Sequence, residues 1–318
     1  MSVACTVVVA TRNRPESLQH CLASLAADPA PPGGREVLVV DNAPDRRTED
    51  VATAAGATWL PEPQPGKSHA LNTGVATARG DAVLFLDDDV VVRPGWTRAL
   101  ADAVTRPGVG VAGGRLLPRW SAPPPAWLDG PHAVHLTLAD HGAEPRVLQP
   151  PDFPYGASMA LRAAVLARLD PPFEPRLGPR PGLKLGHEEV HLVERVRDLG
   201  LVAVHVPDAV GEHCVDPARV DRARLRRIVF QTGVGAARRE RLRGRPPGPL
   251  PRRLAETAVS LARAGRLAAV RGDVDARHVD RETGAWAVLG SRLERLAGAR
   301  SPAAVDWLAA HLAGRGPA

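Results

Sequence analysis

"DAVLFLDDD", residues 81–89, runs from unbroken apolar residues straight into three aspartates, Asp87, Asp88 and Asp89. A short apolar run with no polar alternation reads as a strand buried on both faces. Upstream, "KSHALNTGVATARG", 67–80, has helical character and closes on Gly80. "TWLPEP", 58–63, reads as a short strand or an edge, and "EDVATAAGA", 49–57, as a short helix. "REVLVVDNA", 35–43, is another buried strand ending in an acid. In "PESLQHCLASLAA", 15–27, Leu18, Cys21, Leu22 and Leu25 recur at helical spacing, and Pro15 suits a first turn. "CTVVVAT", 5–11, is a β-branched strand. The first 90 residues therefore alternate strand and helix, the pattern of a parallel sheet with helices on both faces. Such α/β sheets bind ligands at the carboxyl ends of their strands. Thr11, Asp41 and Asp87–Asp89 all fall at those ends.

Beyond residue 90 the reading is a helix at 96–106, a small-residue strand in "GVGVAGGRLLP", 108–118, and a Pro- and His-rich stretch, 118–152, expected as a long active-site loop with room for short strands. "YGASMALRAAVLARLD", 155–170, reads as strand then helix, and "FEPRLGPRPGLKLG", 173–186, as a loop. "HEEVHLVERVRDLG", 187–200, is an amphipathic helix stopped by Gly200, and "LVAVHVPDAVGEHCV", 201–215, a strand pair. An Arg/Ala-rich helical region follows, broken at "RGRPPGPLP", 243–251. The expected organisation is a catalytic domain over 1–218, split into 1–110 and 111–218, and a helical C-terminal region over 219–318.

With 318 residues and 44% hydrophobic content the chain can build a sizeable core. No stretch approaches the ~18 apolar residues of a membrane span. There is no charged n-region followed by an apolar h-region, so neither a signal peptide nor a transmembrane segment is expected. Cys5, Cys21 and Cys214 lack metal-type spacing and read as reduced thiols, which together point to a cytoplasmic protein. The net charge is +6, and residues 219–318 hold 21 Arg against nine acids. Aromatic residues are only 3%, so base-stacking platforms are scarce and no nucleic-acid partner is expected.

"PGKSH" followed by "LFLDDD" imitates an ATPase site. A phosphate loop of that kind is G-x-x-x-x-G-K-[ST]. Gly66, Lys67 and Ser68 match its end, but Pro61 stands where its first glycine belongs. The three prolines of "PEPQPG" also delete backbone N–H groups that would cradle phosphate. Three clustered carboxylates repel one another unless something positive joins them. A hard divalent cation, Mg²⁺ or Mn²⁺, prefers oxygen ligands and leaves positions open for substrate phosphates. The bland alternative for the aspartates is a solvated acidic turn.

"VVVATRNRPESLQHCLASL", "EVLVVDNAPDRRT", "GKSHALNTGVATARGDAVLFLDDDVVVRPGW", "YGASMALR" and "FEPRLG…GHEEVHLVERVRDLG" occur in that order. Together, over about residues 3–235, they resemble the family 2 glycosyltransferases of GT-A fold. The resemblance implies a Rossmann-like mixed or parallel sheet flanked by helices. It also implies an inverting, metal-dependent transferase that uses a nucleotide-diphospho-sugar of UDP, GDP or dTDP type and a hydroxyl acceptor. Carried onto this chain, it has Thr11 and Arg12 line the nucleotide pocket and Asp41 face the base. Lys67 and Asn72 approach nucleotide and phosphate. Asp87 and Asp89 match the D-x-D pair that holds Mn²⁺ or Mg²⁺, and Asp88 contacts ribose or sugar. His213 falls where many members place a metal-binding His. Counting back from Arg195, Arg197 and Gly200 puts Glu189 at the base position and Glu188 before it, where the usual segment reads "GED". The base is therefore a Glu here, which leaves the choice between the two acids open.

Two rival readings remain: a sugar nucleotidyltransferase, whose glycine-rich loop after the first strand is replaced here by "ATRNRPES", and a non-catalytic nucleotide-sugar-binding protein of the same fold. The sugar, the base and the acceptor are not legible; a small molecule such as a secondary metabolite, a glycan and a lipid all stay open. So does the role of the Arg-rich region, where Leu250, Leu254, Ala258 and Leu261 share helical spacing. Acceptor docking, a homodimer, peripheral membrane contact and simple packing are the alternatives.

Overall fold

The structure, a computed structural model, describes residues 4–125, 128, 136–215, 221–270 and 274–311. Its described residues form two compact units. The first comprises 1–119, 137–176 and 188–214, and the second 120–136, 177–187 and 215–318.

The first unit is built on β1 (Cys5–Thr11), β2 (Arg35–Asp41), β3 (Thr58–Pro61) and β4 (Ala82–Asp87), which pair in parallel in the order β3-β2-β1-β4. The sheet continues through β8 (Ser158–Arg162), antiparallel to β4, then β6 (Val109–Trp120), β9 (Val202–Val215) and β5 (Val90–Val92). β7 (Arg146–Leu148) adds to β9. The architecture is mixed α/β, with a mostly parallel central half flanked by helices.

Strand period 2 divides the apolar residues between two cores, as a doubly covered sheet requires. On one face Val7, Val9, Leu84 and Leu86 meet Leu18, Cys21 and Leu25 of α1 (Pro15–Ala27) and Trp96 and Leu100 of α4 (Trp96–Thr105). On the other, Val8, Val83 and Phe85 meet Ala70 and Leu71 of α3 (Lys67–Thr77) and Leu192, Val193 and Val196 of α6 (Glu188–Asp198). α2 spans Arg46–Ala54, starting earlier than its apolar residues suggest, because the Asp45 carboxylate accepts from the Thr48 N–H at 2.9 Å and caps it.

Val202–Val215 form a single strand, not the pair expected over 201–215. Burial alternates strictly from Ala203 to Val215 although hydropathy does not. Pro207, with no N–H to donate, lies between the ladder to β7 at 203–205 and the ladder to β5 at 211–213. Within the expected loop at 118–152, Ala139 bridges back to Leu116 of β6 and the short strand β7 forms at 146–148, while 126–127 and 129–135 lie outside the described residues.

In the second unit α7 (Arg222–Leu242), α8 (Leu250–Ala268), α9 (Ala276–Ala297) and α10 (Pro302–His311) pack around Phe230, Val234, Trp286, Leu289 and Val305, joined by Leu183 and Leu185. α7 and α9 approach closely at two glycines. A Cβ on Gly233 would lie 1.9 Å from the Ala287 carbonyl oxygen, and one on Gly290 would lie 2.0 Å from that of Phe230. Several arginines of the charge-rich region are used internally. Glu282 sits between Arg222 and Arg226, at 2.9 Å from each, and Glu294 between Arg238 at 3.0 Å and Arg241 at 2.8 Å. Buried carboxylates need such partners. His187 bonds the Thr232 carbonyl at 3.0 Å, and burial, assisted by Arg239, pushes its pKa down to about 4, so the ring is neutral.

Candidate active site

The parallel register sets the site. Thr11 pairs with Asp41, and Ala10 with Asp87, so three strand ends finish level. β4 stops at Asp87, and Asp88–Asp89 form the turn into β5. The Thr11 hydroxyl donates to Asp88 at 2.7 Å. Arg14 Nη1 donates to Asp88 and Asp89, both at 3.1 Å. Lys67, the first residue of α3, is ion-paired to Asp87. His213 Nε2 lies 3.1 Å from Asp89 Oδ1, because β5 and β9 pair Val90 with His213.

The electrostatics are those of crowded acids. Burial pushes the Asp88 carboxyl up to about 6; Arg14 opposes this, and the carboxylates of Asp89 and Asp87 add to it. Burial works against the Lys67 charge, but Asp87, then Glu188 and Glu189, outweigh it and raise the ammonium above its ordinary range. One cation is thus felt by both the aspartate cluster and the glutamate pair.

The glutamates open α6, where the helix N-terminus favours negative charge. Glu188 is buried and Glu189 half-buried. Burial holds the Glu188 carboxyl well above the usual range; the Glu189 carboxylate raises it further and Lys67 opposes. Each glutamate keeps a buried Oε2 without a hydrogen-bond partner among the described residues. Beside them, a Cβ on Gly156 would lie 3.7 Å from the Glu189 Cβ. Burial, then Glu189 and Asp152, push the Tyr155 phenol up, so it stays a donor.

Other expected site residues are engaged in holding the pocket's frame. The fully buried Asp41 accepts from the Ala43 N–H at 3.0 Å, the Asp45 N–H at 3.1 Å and Trp59 Nε1 at 3.4 Å. Arg12 donates to the Asn42 carbonyl, not to the acids. Asn72 bonds the backbone of Phe173, donating at 2.8 Å and accepting at 2.9 Å. It also borders a cavity of about 630 Å³ lined by Val75, Ala78, Leu166, Leu169 and Pro172, in which none of the clustered acids takes part.

Three residues of the site were not singled out from sequence. Arg14 faces the aspartates; it lies in "TRNRP" beside Arg12, the residue expected to line the nucleotide pocket, and nothing in the sequence singles it out. Asn42 accepts from the Gly66 N–H at 2.7 Å and donates to the carbonyls of Glu62 and Gln64, so it shapes the loop that presents Lys67. Tyr155 had only its place in "YGASMALR" as a signal.

Asp41→Ala takes the acceptor from the part-buried N–H groups of Ala43 and Asp45, and each lost bond costs about 0.5–1.5 kcal/mol. The expected result is a clear fall in urea midpoint, with Asp41→Asn milder because its amide oxygen still accepts. An unchanged midpoint for Asp41→Ala removes Asp41 from this structural role.

The parallel strand ends thus converge on an acidic cluster, and a carboxylate pair opens α6 in the same α/β unit. The sequence model described as "Glycosyl transferase family 2" matches residues 6–165, half of the chain, and the chain belongs to that family. It is a glycosyltransferase. Glycosyltransferase AglE of Haloferax volcanii is 24% identical over 72% of this chain and 72% of its own length. The pre-mycofactocin glycosyltransferase of Mycobacterium tuberculosis is 32% identical over 35% of this chain and 23% of its own. Among solved structures, the mannosyltransferase PcManGT of Pyrobaculum calidifontis, in complex with GDP-Man and Mn²⁺, superposes with a TM-score of 0.57, 19% identity and coverage of 93% of this chain and 88% of that one. GalNAc-T7 with UDP, GalNAc and Mn²⁺ gives 0.52, 15% identity and coverage of 67% and 43%. The fold is therefore similar to GT-A glycosyltransferase structures. Among the described residues no helix is long and apolar enough to cross a membrane.

Proposed function

We propose that the protein transfers a sugar from a nucleotide-diphospho-sugar to an acceptor hydroxyl by single displacement with inversion, Glu189 acting as the general base. The observation that carries this reading is the pairing of two separate acid groups through one lysine. Asp87–Asp89 gather at the strand ends, Glu188 and Glu189 at the start of α6, and Lys67 is held charged by both.

The donor's nucleotide would lie across the carboxyl ends of β1 and β2, over Thr11 and the turn that Asp41 orders. Its diphosphate would meet the positive charge of Lys67 and Arg14. Asp87 and Asp89 fit a hard divalent cation, because carboxylate oxygens suit Mn²⁺ and Mg²⁺, and the His213 imidazole lies against Asp89. No three His, Cys, Asp or Glu side chains form a ready cage among the described residues, so such a cation would take its remaining ligands from diphosphate and water. When bound, it supplies positive charge against the leaving diphosphate.

The acceptor oxygen attacks the anomeric carbon, its proton passes to a Glu189 oxygen, and the bond to the diphosphate breaks. Glu188 supports this division of roles. Burial and the Glu189 carboxylate push the Glu188 carboxyl up, and Glu188 is the buried member, which leaves Glu189 as the more accessible acid to meet the acceptor. The Mn²⁺ complexes of PcManGT and GalNAc-T7, one with GDP-Man and one with UDP, accord with a donor of this class.

A thermal-shift panel of UDP-, GDP- and dTDP-sugars, with and without Mn²⁺, tests the donor class. A donor at about 100 times its dissociation constant adds about 2.7 kcal/mol to stability. One nucleotide type is expected to stabilise the protein in a Mn²⁺-dependent way. No stabilisation by any of them overturns the reading.

A further inference from the structure

We infer that α8 is an interfacial helix that docks the C-terminal unit on an anionic lipid surface. This is independent of the transfer reaction. α8 contributes little to the core: its fully buried residues are Thr257 and Ala264. Leu267 and Ala268 pack against the core, and its other large apolar side chains point the other way. Leu250 is 42% exposed, Leu254 52%, Val259 69% and Leu261 53%. Leu250, Leu254, Ala258, Leu261 and Gly265 follow one another at helical spacing, all of them exposed, and Ala255, Ala262 and Ala269 widen the strip. Over 19 residues the strip runs about 28 Å at 1.5 Å per residue.

Charge selects the occupant. Arg252, Arg263 and Arg266 are exposed along one border of the strip. The single acid of α8, Glu256, is bound by Arg252 at 2.9 Å and by Arg292. No exposed residue of α8 is acidic. An apolar face bordered by arginines, on a helix whose opposite side is held by α9, is the form that lies in the headgroup plane of an anionic bilayer. An antiparallel two-fold pairing of α8 with a second copy would instead set the arginine border of each against the same border of the other, with no exposed acid to relieve it.

The test is flotation of the full chain with phosphatidylcholine vesicles, with and without phosphatidylglycerol, at low and high salt. Binding is expected only to the anionic vesicles, weakened by salt. Leu254→Glu with Leu261→Glu is expected to lower it at least tenfold. Arg263→Gln with Arg266→Gln is expected to lower it about fivefold for each charge removed. Both pairs change exposed side chains, so the melting temperature checks that the fold is kept, and Val288→Glu on α9 serves as the exposed control that leaves binding intact. Failure to bind anionic vesicles at low salt overturns the inference, as does binding that survives the leucine pair. A dimer in solution that the leucine pair dissociates, without vesicle binding, assigns the face to a second copy and overturns it as well.

Discussion

Glu189→Gln is expected to lower kcat by about 10²–10⁴, the range for loss of a general base. Nucleotide-sugar affinity should stay near that of the parent, because the substitution keeps shape and hydrogen-bonding capacity and Glu189 lies on the acceptor side of the proposed reaction. Glu188→Gln separates the two acids. Burial pushes the Glu188 carboxyl up, and a neutral glutamine amide suits the same buried place. Its expected loss is under about tenfold. If Glu188→Gln is inactive and Glu189→Gln retains turnover, the base is Glu188. Retention of the donor's anomeric configuration in the product, read by NMR, removes the single-displacement mechanism altogether.

Chelation by EDTA is expected to abolish transfer, and Mn²⁺ or Mg²⁺ to restore it. Asp89→Ala should have a similar effect, on the order of 10³-fold, since several kcal/mol of charge stabilisation on the leaving diphosphate is at stake. Asp89 is the member of the cluster joined to both Arg14 and His213, so its loss also removes the partner those two side chains share. Asp88→Asn is the contrasting variant. Asp88 is covered by Thr11 and Arg14 and pushed toward its protonated form, so an amide replaces it with less effect on the metal response. Full activity in chelator-treated enzyme overturns the metal-assisted reading.

Much of the first unit was legible because strands buried on both faces leave an unmistakable apolar run, and helices between them leave period 3.6. "CTVVVAT", "REVLVVD" and "AVLFLD" read as parallel strands, and β1, β2 and β4 form there. Parallel strands of equal reach finish together, so the sequence alone placed Thr11, Asp41 and Asp87–Asp89 at one edge. Period says where a residue lies on its own element; it does not say what that element packs against. Hence only the tertiary structure brought Arg14 to the aspartates, turned Asp41 and Asn72 onto backbone groups, and joined Lys67 to Asp87 while exposing it to the field of Glu188 and Glu189. The same limit governs α8. Leu250, Leu254 and Leu261 mark an apolar stripe in either case, and only packing on α9 through the opposite side decides that the stripe faces outward.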